Sequence, residues 1–270
     1  MLRDRPQCDQ PAPGTGDLAG RGQQLRACPL HGAVPRRHAL LITQDALGLP
    51  FQPELGGSGE GMLTCCLVIE ELTRVCYNTS YLLVMTWQPF YAISHAGTAE
   101  QKERFLPPLI RGEIKFSTAN TEPEAGSDMA ALKTRARPVP GGYRISGSKV
   151  FASNAAAADY FVTFANTDPS AGGKGITAFI VDANADGVTV DAPEDKIGGR
   201  AIPSCAVTFD DVEENRLGAE GQGFVTAATC FTKVRPLVGA RAVGQRLHPT
   251  RRQRRARRDR PPAPRNHRRE

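Results

Sequence analysis

The stretch TANTEPEAGSD, residues 118–128, places three carboxylates among several turn-forming residues, and the interpretation of the chain depends on it. Pro123 fixes one backbone φ angle, Gly126 allows a left-handed residue, and the Thr, Ser and Asp side chains can bond to nearby backbone. Taken alone, the segment is a strand end followed by a capped surface turn. A metal site is disfavoured, since no His or Cys is near and the acids lack EF-hand spacing. A cofactor pocket remains an open alternative.

Residues 45–113, which precede this stretch, carry helical patterns. The apolar residues of 62–75 form a wide stripe at helical spacing. The next segment, 77–96, is apolar nearly all round, which predicts a buried helix with a break near Pro89. Thr98 is placed as the N-cap of a third helix that Pro107 and Pro108 are expected to end. We therefore predict an N-terminal helical domain over 45–113.

Beyond Glu113 the apolar period changes to two, which predicts strands. Residues 131–139 and 142–150 form a predicted hairpin with Gly141 and Gly142 in its turn. Further strands are predicted within the segments 159–168, 175–184 and 205–212. Helical spacing returns from about residue 220. Helices, then strands, then a helix indicate an α+β fold.

The net charge of +6 arises from the C-terminal segment 246–270, in which eleven Arg face only Asp259 and Glu270. Such a segment is a nucleic-acid or acidic-surface arm, a disordered terminus, or the product of a shifted reading frame. We favour the last two interpretations over the first and expect a disordered tail without a nucleic-acid partner. Residues 1–44 lack sustained periodicity and are also expected to be poorly ordered.

The seven Cys residues form no metal-binding spacing, so we expect free thiols and no metal site. No apolar run approaches the roughly 18 residues that a membrane helix needs. The N-terminus also makes a poor signal or transit peptide. The predicted location is therefore the cytoplasm, without a membrane span.

Several segments in order resemble the acyl-CoA dehydrogenase family of flavoproteins. Besides 118–128, they are GSKVFASNAAAADYFVTFANTD (147–168), GITAFIVDANADGVTV (175–190), EDKIGGRAIPSCAVTFDDV (194–212), NRLGAEGQGF (215–224), PELGGSGEGMLTCCLVIEEL (53–72) and GTAEQKERFLPPLIRGE (97–113). The resemblance runs from about Asp45 to about Gln245. It implies a central antiparallel, barrel-like β domain over 114–216 and the first helix of a C-terminal helical domain over 217–245.

The resemblance also implies a function: FAD-dependent α,β-dehydrogenation of an acyl-CoA thioester, within fatty-acid or related acyl-CoA catabolism. An electron-transfer flavoprotein or a similar acceptor would take the electrons, and the chain would assemble as a homo- or hetero-oligomer.

The same resemblance assigns the site residues. The flavin-binding residues are Thr118, Ala119, Asn120, Thr121, Gly126, Ser127, Phe151, Ala152 and Ser153. Phe151 stands where relatives usually have Trp, and Ser153 where they usually have Thr. Ser127 is also implied to contact the acyl-CoA, and Arg235 to line the substrate cleft, although a surface cation is the alternative for Arg235.

No catalytic base is identified. The dehydrogenation needs a carboxylate to remove the α-proton of the thioester. Some relatives place that base immediately before the cleft Arg, where this chain has Val234, and others place it in a C-terminal bundle that the resemblance does not reach. Activity is therefore expected to be impaired, and a catalytically inactive relative or partner subunit is the alternative hypothesis.

Overall fold

Three helices, an eight-stranded sheet and a fourth helix follow one another along residues 46–247, the part of the chain that the computed structural model describes. The α-helices are α1 (Met62–Val75), α2 (Tyr77–Ala96), α3 (Ala99–Ile110) and α4 (Gly223–Leu247). This order confirms the α+β class. The predictions for residues 1–44, and for the Arg-rich segment after Leu247, lie outside the described residues.

The strands all belong to one sheet. They are β1 (Phe116–Ala119), β2 (Arg135–Val139), β3 (Gly142–Ser153), β4 (Tyr160–Asn166), β5 (Ile176–Asp182), β6 (Val188–Val190), β7 (Ser204–Glu214) and β8 (Arg216–Leu217). The spatial order is β6-β7-β3-β2-β4-β5-β8, with β1 beside β4.

The sheet differs from the predicted antiparallel, barrel-like domain in two respects. β1 runs parallel to β4 along its whole length, and β2 pairs in parallel with β4 at Arg135 and Asn166. The edge strands β6 and β8 do not pair with each other, so the sheet is mixed and open. An alternating pattern assigns side chains to faces but is the same for both strand directions, so it could not have shown the parallel pairs.

The predicted hairpin is present between β2 and β3, with Val139 opposite Gly142. Gly141 has a φ of 92° and lies in the two-residue turn, whereas Gly142 already belongs to β3. A Pro followed by a residue of positive φ suits a tight turn of this kind.

The prolines interrupt the helices less than predicted. α2 continues through Pro89, since the side chains around it, including Trp87, Phe90 and Ile93, are buried and their packing offsets the lost hydrogen bond. Pro107 and Pro108 also lie inside α3.

Both α3 prolines fall in its last turn, where their carbonyls still accept hydrogen bonds from the N–H groups of Arg111 and Glu113. The predicted N-cap of α3 is confirmed, because Thr98 and Gln101 form a reciprocal capping box.

The central strands separate two apolar cores. Val162 and Phe164 of β4 face the helices, while Phe161 and Ala165 face the core on the other side of the sheet. The helices pack closely on one another as well, because the Cα of Gly244 in α4 leaves no room for a Cβ against the Glu70 carbonyl of α1. No helix in residues 46–247 is long and apolar enough to cross a bilayer.

Candidate functional site

Glu122, in the acidic stretch, is a buried structural group. Its carboxylate accepts hydrogen bonds from the backbone N–H groups of Lys133 (2.6 Å) and Thr134 (3.0 Å). It also forms an ion pair with Lys149 of β3, whose Nζ lies 2.7 Å from Oε1. The side chains of Glu122 and Lys149 are 4% and 0% exposed, respectively. The pair therefore ties the acidic stretch to β3 inside the protein.

The surroundings of this pair alter both pKa values. Burial lowers the pKa of Lys149 to about 8, although the nearby Glu122 carboxylate acts in the opposite sense. Burial alone would raise the pKa of Glu122, but the Lys149 ammonium and the hydrogen bonds to the carboxylate outweigh it and lower the pKa. Lys149 Nζ also donates to the Phe164 carbonyl at 2.7 Å, so the ammonium is well satisfied.

The turn after Glu122 is closed by two reciprocal hydrogen bonds between the backbones of Glu122 and Ala125. Gly126 does not use the left-handed conformation that glycine allows: its φ is not positive, and the turn is already complete when the chain reaches it. Gly126 and Ser127 are exposed on this turn, and a Cβ at Gly126 would stand 3.8 Å from Thr121 Cγ2.

Phe151 interrupts the regular course of β3. Its φ is 58°, and the pairing of β3 with β7 shifts between Lys149 and Ala152. A bulky residue with positive φ is rare and strained, and such strain is concentrated at functional sites. The bulge leaves the aromatic ring 63% exposed. The backbone is therefore held in a costly conformation that presents an aromatic surface.

Two of the predicted segments lie side by side. The N–H of Val150 donates to the Thr121 carbonyl at 2.8 Å, and the Ser117 hydroxyl donates to the Ser153 carbonyl at 2.8 Å. Residues 118–121 and 151–153 thus border one region, although they are far apart in the sequence.

Within this region Thr118 Oγ1 and Asn120 Oδ1 are buried and have no hydrogen-bond partner among the described residues. Buried polar atoms are rarely left unpaired, so these two oxygens are available to form hydrogen bonds with a ligand.

Most of the chain is similar to one family of known proteins. Residues 30–113 match the family model "Acyl-CoA dehydrogenase, N-terminal domain", and residues 117–212 match "Acyl-CoA dehydrogenase, middle domain". The chain belongs to the acyl-CoA dehydrogenase family. The N-terminal match begins at residue 30, ahead of Asp45, from which the resemblance in the sequence runs.

This chain is similar in sequence and in fold to known acyl-CoA dehydrogenases. The short-chain specific acyl-CoA dehydrogenase of Clostridium acetobutylicum is 39% identical over 202 residues, which are 73% of this chain and 53% of that protein. The butyryl-CoA dehydrogenase structure from Megasphaera elsdenii superimposes with a TM-score of 0.72 at 36% identity, covering 76% of this chain and 55% of that one.

A third relative is a solved structure described as an FAD-dependent dehydrogenase. Its TM-score is 0.76 at 30% identity, covering 80% of this chain and 60% of that one. This chain spans about half the length of the curated relatives it matches. FAD is confirmed as the cofactor of the family.

The residues of this region have the chemistry that FAD binding requires. A flavin ring needs hydrogen-bonding groups at its polar edge and an apolar wall. The unpaired atoms of Thr118 and Asn120 and the exposed ring of Phe151 have this chemistry. Ala119 and Ala152 have side chains buried in the core behind the sheet, so only their backbone groups are available to a ligand.

Within residues 46–247, no hydrogen bond, ion pair or ring contact joins Arg235 or Val234 to this region. In the part of the chain that the structure describes, the Arg235 guanidinium is exposed and lies 5.9 Å from the ring of Phe231 on its own helix. Val234 is only 6% exposed and belongs to the core beneath the helices.

The buried ion pair of Glu122 and Lys149 was not predicted from the sequence. The sequence contains evidence for a buried Lys, because Tyr143, Ile145 and Lys149 are separated by even numbers of residues and therefore lie on the same, buried face of β3. A Lys at an inward strand position requires a buried partner. The pattern could therefore have predicted a buried ion pair, but not that Glu122 supplies the carboxylate.

Proposed function

We propose that this chain is an acyl-CoA dehydrogenase in which residues 118–121, 126–127 and 151–153 bind FAD. The reaction is the α,β-dehydrogenation of an acyl-CoA thioester in fatty-acid or related acyl-CoA catabolism. The main support is that segments 117–121 and 150–153 are hydrogen-bonded together around unpaired buried oxygens and an exposed aromatic ring.

The bound flavin supplies the hydride acceptor of this reaction. On this proposal, Thr118, Asn120, Thr121 and Ser153 provide polar groups for its edge, and Phe151 covers part of its ring. Ser127 contacts the acyl-CoA from the exposed turn, and Arg235 supplies a cation on the substrate side of α4. An electron-transfer flavoprotein or a similar carrier then accepts the electrons.

The first test is FAD binding by the purified chain, followed by the quenching of flavin fluorescence. Replacing both Thr121 and Ser153 by Ala removes two hydroxyls at about 1 kcal/mol each, so FAD affinity should fall by about 30-fold. Ser148→Ala is a matched control, since it removes an exposed hydroxyl from the same strand. Equal FAD affinity in the double variant and the control would exclude Thr121 and Ser153 from the site.

The second test is chemical. The FAD-loaded chain is mixed anaerobically with saturated acyl-CoAs of several chain lengths, and the loss of flavin absorbance and the formation of enoyl-CoA are measured. Both signals are expected from an active dehydrogenase.

A catalytically inactive relative or partner subunit is the second candidate. It is favoured by Val234, an apolar and buried residue at a position where some relatives carry the base. Glu122 is also engaged by Lys149 and by two backbone N–H groups, so it is not free to act as a base. FAD binding without flavin reduction by any acyl-CoA would support this candidate.

Oligomeric assembly and a cytoplasmic location stay predictions of the sequence. Sedimentation velocity of the purified chain would test the first, and fractionation of the source cells the second.

A further inference from the structure

A cluster of aromatic and cationic side chains borders the Ser153 end of the candidate flavin site. Tyr77 and Tyr81 lie one turn apart on α2, with ring centroids separated by 5.8 Å. The Arg241 guanidinium of α4 lies 4.8 Å from the ring of Tyr77 and 4.5 Å from that of Tyr81. Lys196 Nζ stands 5.8 Å from the Tyr81 ring. The cluster is separate from the residues assigned to the flavin above.

Tyr81 connects the cluster to the site. Its hydroxyl oxygen lies 2.6 Å from Ser153 Oγ, a hydrogen bond between residues on α2 and β3. The Ser153 backbone is held independently, because its carbonyl accepts a hydrogen bond from the Ser117 hydroxyl. With the backbone fixed in this way, the remaining freedom of Ser153 is the rotation of its side chain and hydroxyl.

Either hydroxyl can donate this hydrogen bond to the other, and the chemistry of the two groups favours donation by Tyr81. A phenol is a stronger acid than an aliphatic alcohol and is the better donor. With Tyr81 as donor, the hydroxyl hydrogen of Ser153 is left for another acceptor.

We propose that Tyr81 is a positioning residue of the flavin site: it donates to Ser153 Oγ and so directs the Ser153 hydroxyl hydrogen toward the flavin. Arg241, packed against Tyr81 and Tyr77, holds the phenol in place. The inference rests on the proposed function, because it assigns Ser153 to the flavin.

The test is a double-mutant cycle on the FAD dissociation constant of the whole chain. Tyr81→Phe removes the hydroxyl and keeps the ring against Arg241. We expect it to weaken FAD binding about 5-fold, and Ser153→Ala to weaken it by a similar factor. Because Tyr81 acts through Ser153, the double variant should bind FAD no more weakly than Ser153→Ala alone.

Three further measurements separate positioning from a general structural effect. Tyr77→Phe is the matched control on the same helix and the same Arg, and it should change FAD affinity by less than about 2-fold. Ser153→Thr keeps the hydroxyl and should keep both the affinity and the sensitivity to Tyr81→Phe. The absorption and fluorescence spectra of the bound flavin should shift in Tyr81→Phe but not in Tyr77→Phe.

The outcomes are distinguishable. Unchanged FAD affinity in Tyr81→Phe, or losses that simply add in the double variant, would overturn the inference while leaving the proposed function intact. A wild-type chain that binds no FAD would overturn both.

Discussion

The buried ion pair between Glu122 and Lys149 gives the sharpest prediction for stability. Glu122→Gln removes the counter-ion of the Lys149 ammonium, whose side chain is 0% exposed. Lys149→Met likewise removes the counter-ion of the Glu122 carboxylate. Removing one partner of a buried pair costs about 3–5 kcal/mol. Each single variant should therefore lose a large part of the total stability of a typical domain, which is about 5–15 kcal/mol.

The acidic stretch contains its own control. Glu124 pairs with Lys133, but these side chains are 67% and 71% exposed. An exposed pair contributes at most about 1 kcal/mol, so Glu124→Gln should be nearly neutral. The two Glu→Gln changes thus make the same chemical substitution two residues apart and differ in burial.

Urea denaturation followed by circular dichroism measures the difference. With a slope of about 2 kcal/mol per molar urea, the buried-pair variants should unfold at about 1.5–2.5 M less urea than wild type, and Glu124→Gln within about 0.5 M of it. The variant that replaces both Glu122 and Lys149 should lose much less than the sum of the single losses, because no charge is left buried and unpaired.

The result that would refute this reasoning is a Glu122→Gln variant as stable as Glu124→Gln. Losses that add fully in the double variant would also contradict it, since they would mean that the two groups act independently.

Three other changes have defined outcomes. The pKa of Glu122 is lowered in the folded protein, so the stabilisation by its carboxylate is present above pH 4.5 and is lost as the pH falls through the folded-state pKa. The difference in free energy of unfolding between wild type and Glu122→Gln should therefore shrink on acidification. A difference that stays constant with pH would contradict this. Thr98→Ala removes the α3 N-cap and should cost about 1 kcal/mol in the same denaturation assay, whereas a neutral effect would mean that the capping box is not formed in solution. Val234→Glu places a carboxylate in the core beneath the helices and should lower the melting temperature strongly without raising dehydrogenase activity above that of wild type. A stable variant with raised activity would show that this position faces a substrate cleft.

The sequence alone determined the helices, strands and caps that depend on residues close together in the chain. Helical spacing in 62–75 and alternation in 142–150 correspond to α1 and β3, and the capping box follows from Thr98 and Gln101, three positions apart. These patterns reflect which side chains can share a face or a turn, and this is set within a few residues. The ordered motifs also led to the family, which the family models confirm.

Only the tertiary structure decided which distant segments meet. Glu122 and Lys149 are 27 residues apart, and Tyr81 and Ser153 are 72 residues apart. The packing of α2 against β1 and the parallel pairing of β1 with β4 also join distant segments, and neither has a periodic signature in the chain. The strained backbone of Phe151 has the same origin, because a bulge in β3 is imposed by its pairing with β7. A local pattern determines which face of an element is buried, whereas the partner that covers that face is chosen by the packing of the whole domain.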